Sequence, residues 1–214
     1  YRVMVVSEPI ELEISNYEDM KSELLTAENN PEDDKHGNRE ITFSKNLFIE
    51  RDDFKEEANR KFFRLTLGKE VRLKNAYIIK GESVIKDSGG NIKKIICTYD
   101  PKSKSGSGSP ESLRKVKGTI HWVDKNNHEK ISINIYDKLF DIETPDDIDS
   151  GEYKSQINKN SLMVVENACA ESSIKNAEFD KYYQFQRKGY FKLDSKNSKK
   201  IFNRTVTLRD NTRY

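Results

Sequence analysis

Seven basic residues fall between Arg60 and Lys80 against a single acid, Glu70. Two of them, Arg72 and Lys74, stand in the stretch "EVRLKNAYIIK", where Val71 and Leu73 alternate with them. Alternation at period two puts the apolar pair on one face of a strand and the two cations on the other. An arginine supplies a directional fork of donors and a lysine a point charge, so the pair suits a nucleic-acid base edge or phosphate; a merely solvated face is the plainer reading. Other chemistries have less support. His36, His121 and His128 have neither metal-ligand spacing nor a neighbouring nucleophile, which argues against a zinc site or a catalytic triad. Cys97 and Cys169 are too few for a disulfide scaffold and lack C-x-x-C spacing; both are expected as reduced thiols, Cys97 within an apolar strand. "KSKSG" around Lys104 lacks the spacing of a phosphate loop. No catalytic, cofactor-binding or metal site is visible.

The elements that must position these residues read mainly as strands. "RVMVV", "IELEIS", "NIKKIICTYD", "RKVKGTIHWVD", "KISINIYD", "SLMVVE", "YYQFQ", "GYFKLDS" and "FNRTVTLRD" recur at short intervals between turn-forming residues. "KDSGGN" (86–91) offers Gly89 and Gly90 for a hairpin turn. Many short strands at this spacing indicate an all-β chain of antiparallel barrels or a sandwich. One short helix is expected near 53–64, capped by Asp52 or Asp53 and carried by "FKEEANRKFFRL". "PKSKSGSGSPES" (101–112) reads as a mobile low-complexity loop, and "PDDIDSGE" (145–152) as a solvated acidic one.

With 214 residues, the chain is long enough for one large domain or two small ones. The apolar fraction is low at 34% and the charged fraction high at 35%, but ten Phe, ten Tyr and Trp122 argue against disorder. No run approaches the roughly 18 apolar residues of a membrane span, and no secretory leader opens the sequence. A soluble, cytoplasmic, monomeric protein without membrane contact is expected. The net charge of +2 conceals a segregation: Glu8 to Asp34 holds ten acids and one base, Lys181 to Arg213 ten bases and two acids. Such polarisation favours orientation towards a charged partner.

Six collinear blocks carry a family likeness: "KNLFIERDDFKEEANRKFFRLTLGKEVRLKNAYIIK", "CTYD", "RKVKGTIHWV", "IYDKLF", "FQRKGYF" and "FNRTVTLRD". Together they resemble the C-terminal anticodon-binding region of glutaminyl-tRNA synthetases over nearly the whole chain, "GTIHWV" being closer to the glutaminyl than to the related glutamyl enzymes. The resemblance implies two interleaved antiparallel β-barrels, six-stranded and ribosomal-protein-L25-like, forming one anticodon-binding module over 1–214. It implies a partner, the anticodon loop of glutamine tRNA. It also implies a separate nucleotide-binding catalytic domain upstream using ATP and magnesium, whose signature motifs are not in this sequence. An L25-type ribosomal RNA-binding protein and a glutamyl module are the alternatives.

Carried over position by position, the resemblance assigns the middle anticodon base to Arg2, Gln184 and Arg187. The third base falls to Arg64, and the first to Arg72 with Lys74 beside it. Lys61 joins the same surface; it and Phe63 stand where the family often has Gln and Lys. Anticodon bases are single-stranded and readable on their Watson–Crick edges, which suits Arg and Gln. Strict alternation puts Gln184 and Arg187 on opposite faces, so the strand must end or bulge near Gln186 for both to reach one base. Tyr77, Phe140 and Tyr190 are read as barrel-core residues rather than stacking platforms.

Overall fold

The computed structural model describes residues 1–145, 152–194 and 200–208. All but the ends of the acidic stretch 145–152, and the last two residues of "FNRTVTLRD", lie outside them. The alternating segments form eighteen strands among the described residues. They begin with β1 (Arg2–Val3), β2 (Val5–Val6), β3 (Pro9–Ile14), β4 (Ser22–Glu28), β5 (Asn38–Ser44) and β6 (Asn46–Glu50). Next come β7 (Phe54–Lys55), β8 (Leu65–Thr66), β9 (Glu70–Leu73), β10 (Ile78–Lys86) and β11 (Ile92–Tyr99). The remainder are β12 (Thr119–Ile120), β13 (Trp122–Asp124), β14 (His128–Tyr136), β15 (Leu162–Glu171), β16 (Tyr182–Phe185), β17 (Gly189–Leu193) and β18 (Ile201–Val206).

Two sheets of seven strands dominate, in the orders β12-β9-β10-β11-β3-β6-β13 and β1-β16-β17-β18-β14-β15-β2. In each, the two edge strands are neighbours in sequence, separated by one residue: His121 in the first sheet and Met4 in the second. A single extended segment therefore pairs with both edges, and each sheet curls on itself into a barrel. Counting each broken segment as one strand gives six per barrel, as the resemblance implies.

Each barrel has its own core. The first surrounds Trp122, Phe43, Leu12, Leu47 and Ile49; the second surrounds Phe185, Phe191 and Phe202, with Phe185 and Phe191 stacked at 4.1 Å between centroids. Burying a large apolar side chain is worth roughly 1.5–3 kcal/mol, so clusters of this kind hold both barrels. The N-terminal segment is a shared wall: Val3 and Val5 face the second core, Met4 and Val6 the first. Its alternation serves two cores because it runs between them. Nearby, the buried Glu171 of β15 accepts from Arg39 of β5 and, at 2.9 Å, from the Met4 amide, a second tie between the barrels.

The hairpin turn forms as expected: Asp87 accepts from the amides of Gly89 and Asn91 at 2.9 Å, and Gly90 takes φ +81°. Two expectations are corrected. No α-helix forms over 53–64; Arg51–Asp53 is a 3₁₀ turn, and Phe54 enters β7, which pairs with β8 in parallel. Burial of Phe54 and of the Asp53 carboxylate overrides helix propensity there. The only α-helix among the described residues is the turn Pro110–Leu113, capped by Ser109. The segment 101–112 is not a free linker either. Ser103 is fully buried, accepts from the Ile78 amide at 2.8 Å and donates to the Asp100 carbonyl at 2.6 Å, while the Ser105 amide donates to Ala76 at 2.9 Å. Cys97 and Cys169 are buried free thiols, and burial pushes both thiol pKa values up.

A candidate nucleic-acid interface where the barrels meet

The parallel pairing of β1 with β16 sets Arg2 directly opposite Gln184. The Gln184 amide donates to the Tyr1 carbonyl at 2.8 Å and the Gln186 amide to Val3 at 3.0 Å. β16 then ends. Arg187 takes φ +67°, the Lys188 amide closes the turn on the Phe185 carbonyl at 2.9 Å, and Gly189 follows at φ +142°. A Cβ at Gly189 would lie 2.6 Å from the Val206 carbonyl oxygen, so the turn requires glycine. This left-handed turn resolves the alternation conflict: Arg187 swings to the side of Gln184. With Lys74, Thr119, Ile120, His121 and Gln186, these residues line a cavity of about 320 Å³.

The cavity rests on a chain of polar groups, of which Asp53, His121 and Glu50 are buried. Arg187 grips the Asp53 carboxylate with both terminal nitrogens, NH2 to Oδ1 at 2.7 Å, and NH1 lies 3.3 Å from His121 Nδ1. Arginine has no acceptor, so Nδ1 accepts and His121 carries its proton on Nε2, 3.4 Å from Glu50 Oε1. Glu50 also accepts from Lys188 at 2.8 Å and from the Ser7 amide at 2.7 Å. Burial alone would raise the Glu50 pKa, but His121 and Lys188 outweigh it and lower the pKa to about 2. The Asp53 hydrogen bond, opposed by burial, raises the pKa of Arg187, which stays a fixed cation.

The other expected site residues divide. Lys74 lines this cavity; its backbone is held by the Ile120 carbonyl and by Trp122 Nε1, each at 2.9 Å. Arg72, in β9, is committed elsewhere: it donates to the carbonyls of Ser103 at 3.0 Å, Ser112 at 2.8 Å and Arg114 at 3.3 Å, and to Ser105 Oγ at 3.2 Å. Val71 and Leu73 are buried beneath, as the alternation requires. Arg64 lies in a second cavity of about 250 Å³ with Phe62, Phe63, Lys69 and Lys117. Its Nε is 3.3 Å from Asp53 Oδ1 and its NH1 donates to the Asp52 carbonyl at 2.9 Å. Lys61 is exposed, in a turn on Asn59, and lines neither cavity.

Asp53, His121 and Gln186 are not among the residues that the resemblance assigns to bases; in the sequence Asp53 reads as a helix cap. Of the three aromatic rings assigned to cores, Tyr77 is buried and Phe140 half-buried, but Tyr190 is exposed beside the cavity, its hydroxyl accepting from Gln184 at 3.3 Å. Four of the ten acids between Glu8 and Asp34 pair with lysines: Glu11 with Lys125, Glu13 with Lys94, Asp19 with Lys45 and Glu23 with Lys104. Among the described residues no group of three or more His, Cys, Asp or Glu is placed to hold a metal ion. No described helix is long and apolar enough to cross a membrane.

Residues 1–100 and 119–194 match two family models, both described as the anti-codon binding domain of class I tRNA synthetases (E and Q). Among curated relatives, a glutamine–tRNA ligase of Enterobacter sp. is 47% identical over 212 residues, 98% of this chain and 37% of that protein. One from Rhodopirellula baltica is 46% identical over 98% of this chain and 35% of that protein. One from Psychromonas ingrahamii is 45% identical over the same 98%. The chain thus spans somewhat over a third of the length of the relatives it matches.

Proposed function

Since the chain belongs to the anticodon-binding domains of the class I tRNA synthetases for glutamate and glutamine, we propose that it reads the anticodon loop of glutamine tRNA. In this reading the two barrels over 1–214 act as one monomeric, cytoplasmic module of an enzyme that joins glutamine to its tRNA with ATP and magnesium. The catalytic chemistry lies in another domain. The observation that carries the proposal is the convergence of Arg2, Lys74, Gln184 and Arg187 on one cavity between the barrels.

That cavity suits a splayed-out base. The glutamine anticodons have uracil in the middle, whose edge offers two carbonyl acceptors flanking one N–H donor. Gln184 can accept from that N–H, and Arg2 and Arg187 can donate to the carbonyls. The third base, guanine, is assigned to Arg64, and the exposed Lys61 is left for the backbone phosphates; arginine addresses guanine O6 and N7 in a bidentate manner. The first base is assigned to Lys74 and to Arg72, the latter presented from a guanidinium anchored to the loop 101–114.

The test is retention of a purified tRNA pool on the protein, followed by sequencing. Enrichment of glutamine tRNAs is expected. Enrichment of glutamate tRNAs, or no preference, would contradict the proposal. The chain alone is expected to show no glutamine-dependent exchange between ATP and pyrophosphate.

A further inference from the structure

Asp53 is 1% exposed, yet it stands between two arginines that face different cavities. Its Oδ1 accepts from Arg187 NH2 at 2.7 Å and lies 3.3 Å from Arg64 Nε, while Oδ2 takes Arg187 NH1. Arg187 comes from the β16–β17 turn of the second barrel; Arg64 precedes β8 beside the first. A single buried negative charge is therefore shared by two guanidiniums.

From this sharing we infer that Asp53 is a positioning residue that couples recognition of the middle anticodon base to recognition of the third. The inference rests on the base assignments proposed above. A bidentate grip fixes the plane of a guanidinium, which decides where its remaining donors point. Because Asp53 is shut off from water, a partner it loses is not replaced by solvent, and the carboxylate must draw more heavily on the arginine that remains. Removing or reorienting Arg187 thus pulls Arg64 inward, away from its cavity, and the converse holds for Arg187 when Arg64 is removed. Energetic coupling of two binding sites is reciprocal, so the effect must run in both directions.

The experiment measures affinities of the protein for a short anticodon stem-loop carrying CUG, and for loops altered singly at the middle or third base. The variants are Asp53→Asn, Arg64→Ala and Arg187→Ala. The readout is the discrimination ratio at each position. A reduced folded fraction weakens all loops alike and leaves these ratios unmoved, so a purely structural role does not mimic the effect. Asp53→Asn is expected to lower discrimination at both positions by about fivefold or more. Arg64→Ala should lower it at the middle as well as the third position, and Arg187→Ala at the third as well as the middle. Should Asp53→Asn fail to fold, the two partly exposed arginines still carry the test. An Arg64→Ala effect confined to the third base, with an Arg187→Ala effect confined to the middle one, overturns the coupling and leaves the base assignments standing. No change in any ratio from either arginine overturns the base assignments and the coupling with them.

Discussion

Glu50→Gln probes the polar chain beneath the cavity with a magnitude that follows from the structure. The Glu50 carboxyl is lowered from the ordinary 4.5 to about 2, because His121 and Lys188 outweigh the cost of its burial. A carboxylate whose pKa is depressed on folding stabilises the protein fully above its unfolded value and loses that contribution as pH falls through the folded one. The fall from 4.5 to about 2 is worth ~3 kcal/mol at neutral pH, since one pKa unit is about 1.4 kcal/mol. Glu50→Gln should therefore cost ~3 kcal/mol at pH 7 and less than half of that near pH 3, where the wild-type carboxylate has itself lost most of its advantage. Urea unfolding followed by the fluorescence of Trp122, the single tryptophan and buried in the first core, reports this directly. Taking the difference between the two proteins at each pH cancels the other titrating carboxylates. Equal destabilisation at both pH values would mean that Glu50 acts through packing and that the ionic chain is not what holds the barrel junction.

Three further outcomes are expected. Gly118→Ala would place a Cβ 2.4 Å from the Phe63 carbonyl oxygen, so thermal unfolding should show a loss of about 1–3 kcal/mol, and the segment carrying Arg64 should shift. Arg72→Ala removes the donors that hold the 101–114 loop; it should cost roughly 1–3 kcal/mol and expose that loop to trypsin, whereas unchanged stability with a selective first-base defect would make Arg72 a reader only. Lys74→Ala should weaken all tRNAs about equally and reduce the salt slope of binding by about one, measured by titration at several salt concentrations.

Much of the architecture was legible because period-two alternation survives in most strands. Val71 and Leu73 under Arg72 and Lys74 are the plainest case, and Asp87-Ser88-Gly89-Gly90 announced its hairpin. What was not legible depended on partners distant in sequence. The segment after Asp52 has good helix formers, but Phe54 and Asp53 are drawn into contacts with Leu65 and Arg187, and such ties outweigh propensity. The 101–112 segment has the composition of a linker, yet Ser103 is buried because its hydroxyl completes the hydrogen bonding of Ile78. In the site, the pairing of Arg2 with Gln184 spans nearly the whole chain and was legible only through family likeness. Gly189 hinted at the end of β16, but nothing local foretold that Arg187 itself takes the left-handed turn. Asp53 was invisible as a site residue, since one more aspartate in an acid-rich sequence carries no signal until its two arginines are seen around it.

The cavity between the barrels is proposed to receive the middle anticodon base. A glutamine anticodon stem-loop with 4-thiouridine at that position, irradiated in complex with the protein and mapped by peptide mass spectrometry, tests it most directly. Adducts are predicted on the cavity lining, at Arg2, Lys74 or the turn from Gln184 to Arg187. Efficient cross-linking confined to residues outside that lining would contradict the account.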